Sequence, residues 1–329
     1  MTRRPGARPP TLIPAAVPTV HLARDHPRAA VQARLRHGVW TTVRPGAYID
    51  TPQSRNPHDV RRALAVGRIA AALRQLEAPV VASHSSAALL WGLPAPVGPT
   101  VELIQRTGPS GNARGLVRHA HALDADHETT VSGLRTTTPV RTVVDCAMSL
   151  DGRSALVVAD AALHAGVRRD DCLALLEIML GRRGVVRGRA CVEFADDGAE
   201  SPGESLARFA LLAAGLPVPE TQVQVETHLG TFWSDLGWPT WRLLAEYDGR
   251  AKYEAGGRAS EAVLAEKRRQ DAIEESGYRV LRITKEDLRT PGLLVRRVLR
   301  ALPADAVPLP LSPRGALTAP TPTVWPRSR

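Results

Sequence analysis

The chain has 329 residues, of which 43% are hydrophobic, enough for two or three globular domains with sizeable cores. Its net charge of +10 and its pI near 10.4 favour a polyanionic partner such as DNA. No apolar run reaches about 18 residues, which argues against a membrane span. The three cysteines form no CxxC pair, so we expect a cytoplasmic protein without disulfides or a zinc finger.

Residues 1–19 carry arginines and prolines without an apolar run, which predicts a flexible tail rather than a signal peptide. The next segment, 20–56, contains a short helix over Arg28–Gly38 and two short strands around Pro45, the outline of a degenerate winged helix. Three arginines here are candidates for contacts with DNA phosphates, with a solvated basic face as the alternative: Arg34, Arg36 and Arg44.

Segment 57–180 predicts an α+β module of helices and short strands. The pair Thr138-Pro139 is typical of a helix start, and Ser83 and Ser85 are expected to cap the helix that follows them. The spacing of His84, His119 and His121 matches no metal-ligand motif, so we expect these side chains to be structural or exposed.

Three runs in the amino-terminal half resemble the AbiEi-type antitoxins and their relatives over residues 20–180. They are a G-x-W-x-x-V-x-x-G-x-Y pattern starting at Gly38, a SHxSAA-x-L-x-GLP run over Ser83–Pro94 and a T-x-x-RT-x-x-D run over Thr138–Asp145. This resemblance implies a DNA-associated regulator, and it also implies a toxin or another protein as a partner.

The segment 181–198 is rich in glycine and arginine and predicts a basic linker. Arg187 and Arg189 within it are candidates for holding a DNA duplex, and a solvated linker is the alternative.

Residues 199–302 predict a mixed sheet flanked by helices. Alternation over Thr221–Leu229 and two further extended runs meeting at Pro239 indicate a hairpin that places Asp235 opposite residues 244–246. Glu246 and Asp248 are two residues apart and therefore share a strand face.

A helix over Pro202–Ala214 would add Glu204 to these carboxylates. The same Ser201-Pro202-Gly203-Glu204 run also forms a capping box, so Glu204 is expected to cap the helix, support a metal or do both. Crowded carboxylates repel one another unless a cation neutralises them, and oxygen ligands suit Mg²⁺ or Mn²⁺. We therefore predict Asp235, Glu246 and Asp248 as metal ligands.

The pattern of a helix glutamate, a strand aspartate and Glu-x-Asp-Gly-x-x-Lys over 201–302 resembles the PD-(D/E)XK nucleases. More narrowly, it is similar to very-short-patch-repair-endonuclease-like domains. The resemblance implies a restriction-endonuclease-like α/β fold, with five catalytic candidates: Glu204, Asp235, Glu246, Asp248 and Lys252.

The superfamily lysine would stand where this chain has Asp248, so Lys252 would be a migrated lysine that stabilises charge. The resemblance also makes Arg268, on the helix predicted over Ser260–Ser276, a candidate for DNA binding near the site. Residues 303–329 carry seven prolines and predict a disordered tail.

Three functions remain open at this point. The leading one is a Mg²⁺-dependent DNA endonuclease. The second is a non-enzymatic antitoxin-like regulator with an inactive nuclease fold, and the third is a scaffold that binds a protein partner without affinity for DNA.

Overall fold

The computed structural model describes residues 11–105, 111–113, 115–120, 122–249, 259–304, 306 and 311–318, without the side chains of 113, 259–263 and 311–314. The chain divides into two compact units. The amino-terminal unit comprises Thr11–Ser149 and Val167–Arg183. The carboxy-terminal unit comprises Leu150–Gly166 and the described part of Gly184–Arg329.

The fold is mixed α/β. Its strands, in chain order, are β1 Val20–Leu22, β2 Trp40–Arg44, β3 Ala47–Asp50, β4 Val80–Ala82, β5 Val101–Gln105, β6 Gly111–Ala113, β7 Leu116–Ala120, β8 Glu128–Val131, β9 Leu134–Thr137, β10 Glu220–Thr227, β11 Gly230–Trp238, β12 Leu243–Asp248 and β13 Arg279–Thr284.

The α-helices, in chain order, are α1 Arg28–Arg36, α2 Pro57–Gln75, α3 His84–Leu90, α4 Pro139–Ser149, α5 Gly152–His164, α6 Arg169–Ile178, α7 Val185–Phe194, α8 Pro202–Ala213, α9 Ala259–Glu275, α10 Lys285–Arg289, α11 Pro291–Ala301 and α12 Leu311–Thr318. Within the described stretch 139–213, the five α-helices from α4 to α8 follow one another without an intervening strand.

The amino-terminal unit contains two sheets. The smaller has the order β1-β3-β2 and is antiparallel, and the predicted helix and wing strands are confirmed as α1, β2 and β3. Gly46 adopts a φ of 72° in the turn between β2 and β3, a conformation that glycine reaches without strain. The larger sheet has six strands in the order β6-β7-β5-β4-β9-β8 and mixes parallel with antiparallel pairs.

The carboxy-terminal unit is built on one sheet with the order β10-β11-β12-β13, in which only the last pair is parallel. Leu243 packs with residues of α8, α10 and α11, whereas its neighbour Leu244 packs with Ile273 of α9. Successive strand residues point to opposite faces, so helices cover both faces of this sheet. The predicted mixed sheet flanked by helices is therefore confirmed.

A buried ion pair joins the helices of the carboxy-terminal unit. The guanidinium of Arg208 on α8 donates to the Asp160 carboxylate on α5 at 2.6 Å, and both side chains are at most 1% exposed. Arg208 also donates to the carbonyl oxygen of Phe194, at the end of α7. One side chain thus ties three helices together.

The segment predicted as a linker, 181–198, is largely a helix. Gly184 adopts a φ of 88° immediately before α7, and Val185, Cys191 and Val192 of that helix are buried. The linker prediction is wrong over Val185–Phe194, because the glycines and arginines that indicated flexibility lie beside and within a largely buried helix.

Both predicted tails are partly ordered. The backbone N–H of Ala15 donates to the carbonyl of Leu90, and the carbonyl of Ile13 lies against Gly92, where a Cβ would meet it at 2.0 Å. The tail prediction is wrong for α12 as well, because these residues form a helix in which Leu317 is fully buried. No helix in the described residues is long and apolar enough to cross a membrane.

We predict that Asp160→Ala lowers the free energy of unfolding by about 3–5 kcal/mol, because the substitution leaves the Arg208 charge buried without its partner. Chemical denaturation measures this. Asp170→Ala is the control, since Asp170 is 81% exposed beside Arg168 and should change stability by less than about 0.5 kcal/mol. Equal effects of the two substitutions would contradict a structural role for the buried pair.

Candidate functional site

Asp235 lies in the carboxy-terminal sheet where the pairing of β11 with β12 ends. Leu236 pairs with Ala245, so the continuing register sets Asp235 opposite Glu246, as the hairpin prediction required. Beyond this pair, the backbone N–H of Tyr247 donates to the Asp235 carboxylate at 2.7 Å. The Asp235 carboxylate therefore accepts a hydrogen bond from the backbone of the neighbouring strand, which holds it at a fixed place on the sheet.

Glu204 lies in the first turn of α8. The Ser201 hydroxyl donates to one Glu204 oxygen at 2.7 Å, and the backbone N–H of Glu200 donates to the other at 2.8 Å. A Cβ at Gly203 would meet the Tyr247 ring at 2.0 Å, so only glycine allows this turn to lie so close to β12. The capping role predicted for Glu204 is confirmed, and the helix start brings this carboxylate towards Asp235.

The surroundings of Glu204 and Asp235 disfavour the ionised form of each carboxyl group. Burial, together with the nearby Asp235 charge, raises the pKa of Glu204 to about 7. Burial and the nearby charges of Glu246 and Glu200 raise the pKa of Asp235 to about 6, against the opposing effects of the Tyr247 N–H and Arg269. A cation placed beside these two carboxylates would relieve their repulsion.

Glu246 has the opposite environment. Arg269 of α9 donates to both of its carboxylate oxygens, at 2.5 and 3.2 Å, and Arg282 of β13 lies 2.8 Å from the second one. Glu246 is 5% exposed, and its charge is neutralised by two guanidinium groups. This carboxylate ties the sheet to α9 and contributes less to a cation site than the sequence predicted.

The remaining catalytic candidates lie at the end of β12 or beyond it. Asp248 is the last residue of β12, is half-buried and pairs in register with Thr284. Lys252 lies outside the described residues, so its predicted role stays a prediction.

The arginine of α9 that reaches the carboxylates is Arg269, which binds Glu246. Arg268 is exposed, and its role in DNA binding stays a prediction. Ala272 and Ile273 are buried against the sheet, and Arg269 precedes them by three and four residues, on the same helix face. The apolar spacing of α9 was the signal that separates the two arginines.

A hard cation at this place would be held mainly by Glu204 and Asp235. Among the described residues of this unit, no three acidic or histidine side chains bring donor atoms within 4.8 Å of one another. Mg²⁺ commonly keeps several water ligands and takes only one or two carboxylates from the protein. The oxygen donors of these two residues therefore fit such an ion.

The predicted DNA contacts fall into two groups. Arg34 and Arg36 are exposed on α1, with the Arg34 guanidinium 4.6 Å from the centre of the Trp40 ring. Arg44 is half-buried, and burial and the nearby charges of Arg68 and Arg118 lower its pKa. Three like charges therefore lie close together, an arrangement that an anion would stabilise.

The two arginines of α7 do not form a comparable group of charges. Arg187 is 4% exposed, so it is not available to a DNA backbone, and its selection as a DNA contact is wrong. Burial lowers its pKa. Arg189 lies 3.6 Å from Glu193, one turn along the helix. The helix that replaces the expected linker is largely buried and directs Arg187 inward.

Comparison with known proteins finds relatives whose role is not assigned. Two uncharacterized proteins of Mycobacterium tuberculosis, from strains CDC 1551 and H37Rv, are each 37% identical to this chain over 175 residues. The match covers 52% of this chain and 63% of each relative, so the chain spans less than two thirds of their length. No family model matches the chain.

The raised pKa of Glu204 predicts a pH-dependent stability. In the unfolded chain this side chain titrates near its ordinary value, so between about pH 4.5 and 7 the folded state binds more protons and stability falls as pH rises. We expect a loss on the order of 1–3 kcal/mol.

Glu204→Gln should reduce this loss to the smaller contribution of Asp235. Urea denaturation at pH 5 and pH 7.5 measures the difference, with exposed Glu220→Gln as the control. An unchanged pH dependence in Glu204→Gln would contradict the proposed crowding of carboxylates.

Proposed function

We propose that the carboxy-terminal unit hydrolyses phosphodiester bonds in DNA with the help of Mg²⁺ or Mn²⁺. The observation that carries this proposal is the approach of two carboxylates from different elements, Asp235 from β11 and Glu204 from α8, at the end of the β11–β12 ladder. Their repulsion favours a divalent cation, and nearby Glu246 has separate neutralising partners.

The chain's own groups would position the ion and the phosphate. The Tyr247 N–H fixes Asp235, while the Ser201 hydroxyl and the Glu200 N–H fix Glu204. A bound divalent cation lowers the pKa of a coordinated water and neutralises charge on the phosphate. Arg269 forms an ion pair with Glu246 and places positive charge near Asp235. Lys252 is the remaining candidate for stabilising charge on the phosphate.

The amino-terminal unit supports DNA as the substrate. Arg44 with Arg68 and Arg118, together with the exposed Arg34 and Arg36, offers guanidinium groups to phosphates. Such contacts position a duplex without reading its sequence. The chain's net charge of +10 has the same sign as this surface.

A second candidate is an antitoxin-like regulator that binds DNA without cleaving it and has a toxin or another protein as its partner. The observation that favours it is Glu246, because both carboxylate oxygens are already bound by guanidinium groups. A nuclease fold with this carboxylate neutralised would keep its architecture and lose its metal.

The two candidates are separated by nicking of supercoiled plasmid with the full chain in Mg²⁺, Mn²⁺ or EDTA. We expect metal-dependent nicking that Asp235→Asn reduces at least about 100-fold, since a lost metal ligand removes several kcal/mol of transition-state stabilisation. Asp271→Asn, an exposed acid on α9, should cut like the parent chain. A folded parent chain that shifts DNA in a gel and does not nick it would favour the regulator.

The group formed by Arg44, Arg68 and Arg118 leads to a separate prediction about DNA affinity. We expect Arg44→Ala to weaken binding and to reduce the slope of log K against log salt by about 1, the change for one lost phosphate contact. Fluorescence anisotropy of a labelled duplex between 50 and 200 mM salt, about the range over which such contacts weaken, measures the slope. Arg55→Ala, an exposed arginine before α2, is the control. Equal slopes for Arg44→Ala and the parent chain would remove Arg44 from the DNA interface.

A further inference from the structure

Three side chains that are distant in sequence meet in the amino-terminal unit. His84 opens α3, Glu102 lies in β5 and His119 lies in the adjacent strand β7. One nitrogen or oxygen from each of them lies within 4.8 Å of the other two. The distance from His119 Nε2 to Glu102 Oε1 is 3.5 Å, close to the spacing of about 3.3 Å between ligands of a tetrahedral zinc ion.

Neighbouring serines form hydrogen bonds with Glu102 and His84. These bonds use the atoms that a metal ion would not bind. The Ser85 hydroxyl and its backbone N–H both donate to Glu102 Oε2, which leaves Oε1 directed towards His119. Ser83 Oγ lies 2.9 Å from His84 Nδ1 and shares a hydrogen bond with it, so Nε2 is the nitrogen left for a ligand. Histidines that bind metals usually have their second ring nitrogen fixed in this way.

A buried carboxylate also lies beside the cluster. Asp145 is buried beside His84, and Arg141 donates to only one of its oxygens, at 2.8 Å. The other oxygen, Oδ2, is buried and has no hydrogen-bond partner in the part of the chain that the structure describes. His84 itself adopts a φ of 51°, in the left-handed region, where residues other than glycine are strained and often functional.

We propose that His84, Glu102 and His119 form a binding site for a divalent transition-metal ion of the zinc class. Two imidazole nitrogens and one carboxylate oxygen match the ligand preference of zinc and its neighbours rather than that of Mg²⁺. Three protein ligands leave at least one coordination position for water or an anionic group. The site lies in a different unit from Asp235 and is independent of the nuclease proposal.

Binding requires one ring to turn. The His84 and His119 rings are stacked, with centroids 3.8 Å apart and planes 16° from parallel, so their lone pairs run side by side instead of converging. His84 is buried and anchored by Ser83, whereas the His119 side chain is 22% exposed. We therefore assign the rotation to His119.

The test uses the full chain, freed of any histidine tag and of metal. Calorimetry with ZnCl₂ and visible absorption with CoCl₂ should give about one equivalent bound at this site, and Zn²⁺ should raise the melting temperature. Glu102→Gln and His119→Ala should each weaken Zn²⁺ binding at least about 100-fold, more than the loss typical of a group that merely supports a ligand. Ser83→Ala should weaken it about 10–100-fold.

Two matched variants locate the ion. His58→Ala removes a histidine whose side chain is 64% exposed and should bind Zn²⁺ like the parent chain. Asp235→Asn should also leave the site intact, even where it abolishes nicking. The proposal is overturned when the folded parent chain binds no Zn²⁺, when folded Glu102→Gln and His119→Ala bind it like the parent, or when Asp235→Asn alone removes the bound equivalent.

Discussion

The ion pair between Arg208 and Asp160 lies out of contact with water, and much of the carboxy-terminal unit depends on it. An ionised carboxylate without a partner in such a place costs several kcal/mol, so α5 and α8 cannot separate without exposing or stranding a charge. Because Arg208 also binds the Phe194 carbonyl, the same contact fixes the end of α7. Helix α8 is thereby held with its first turn, and Glu204, against the sheet.

The same requirement for charge compensation distinguishes the other carboxylates of this unit. Glu246 is bound by guanidinium groups from α9 and β13, which makes it a structural connection between the sheet and the helix that covers it. Asp235 and Glu204 are instead hydrogen-bonded by backbone N–H groups and a serine hydroxyl in the described part of the chain. Burial raises the pKa of both carboxylates, and this is the place at which a cation would be most favourable.

In the amino-terminal unit, two histidines stabilise the buried carboxylate of Glu102. Burial alone would raise the pKa of Glu102, but the hydrogen bond from His119 and the effects of nearby His84 and Ser85 together outweigh burial and lower that pKa to about 2. Two separate runs of the sequence supply neighbouring parts of this region: one carries His84 and Ser85, the other Arg141 and Asp145. These two runs therefore build one polar centre.

The sequence by itself determined the local features of the protein. The capping box at Ser201, the start of α4 at Pro139 and the hairpin register that sets Asp235 opposite Glu246 follow from propensities and periodicities over a few residues. Only the tertiary structure decided which charges meet. The partners of Glu246 lie 23 and 36 positions further along the chain, and spacing over such distances carries no information about contact.

The sequence also indicated helix caps at Ser83 and Ser85. In the folded chain their hydroxyls bond to His84 and Glu102 instead. It indicated a solvated Arg187, which the packing of α7 buries instead. A side chain's local preference can be read from its neighbours in sequence, but the charge it must compensate is supplied by whichever element folds against it.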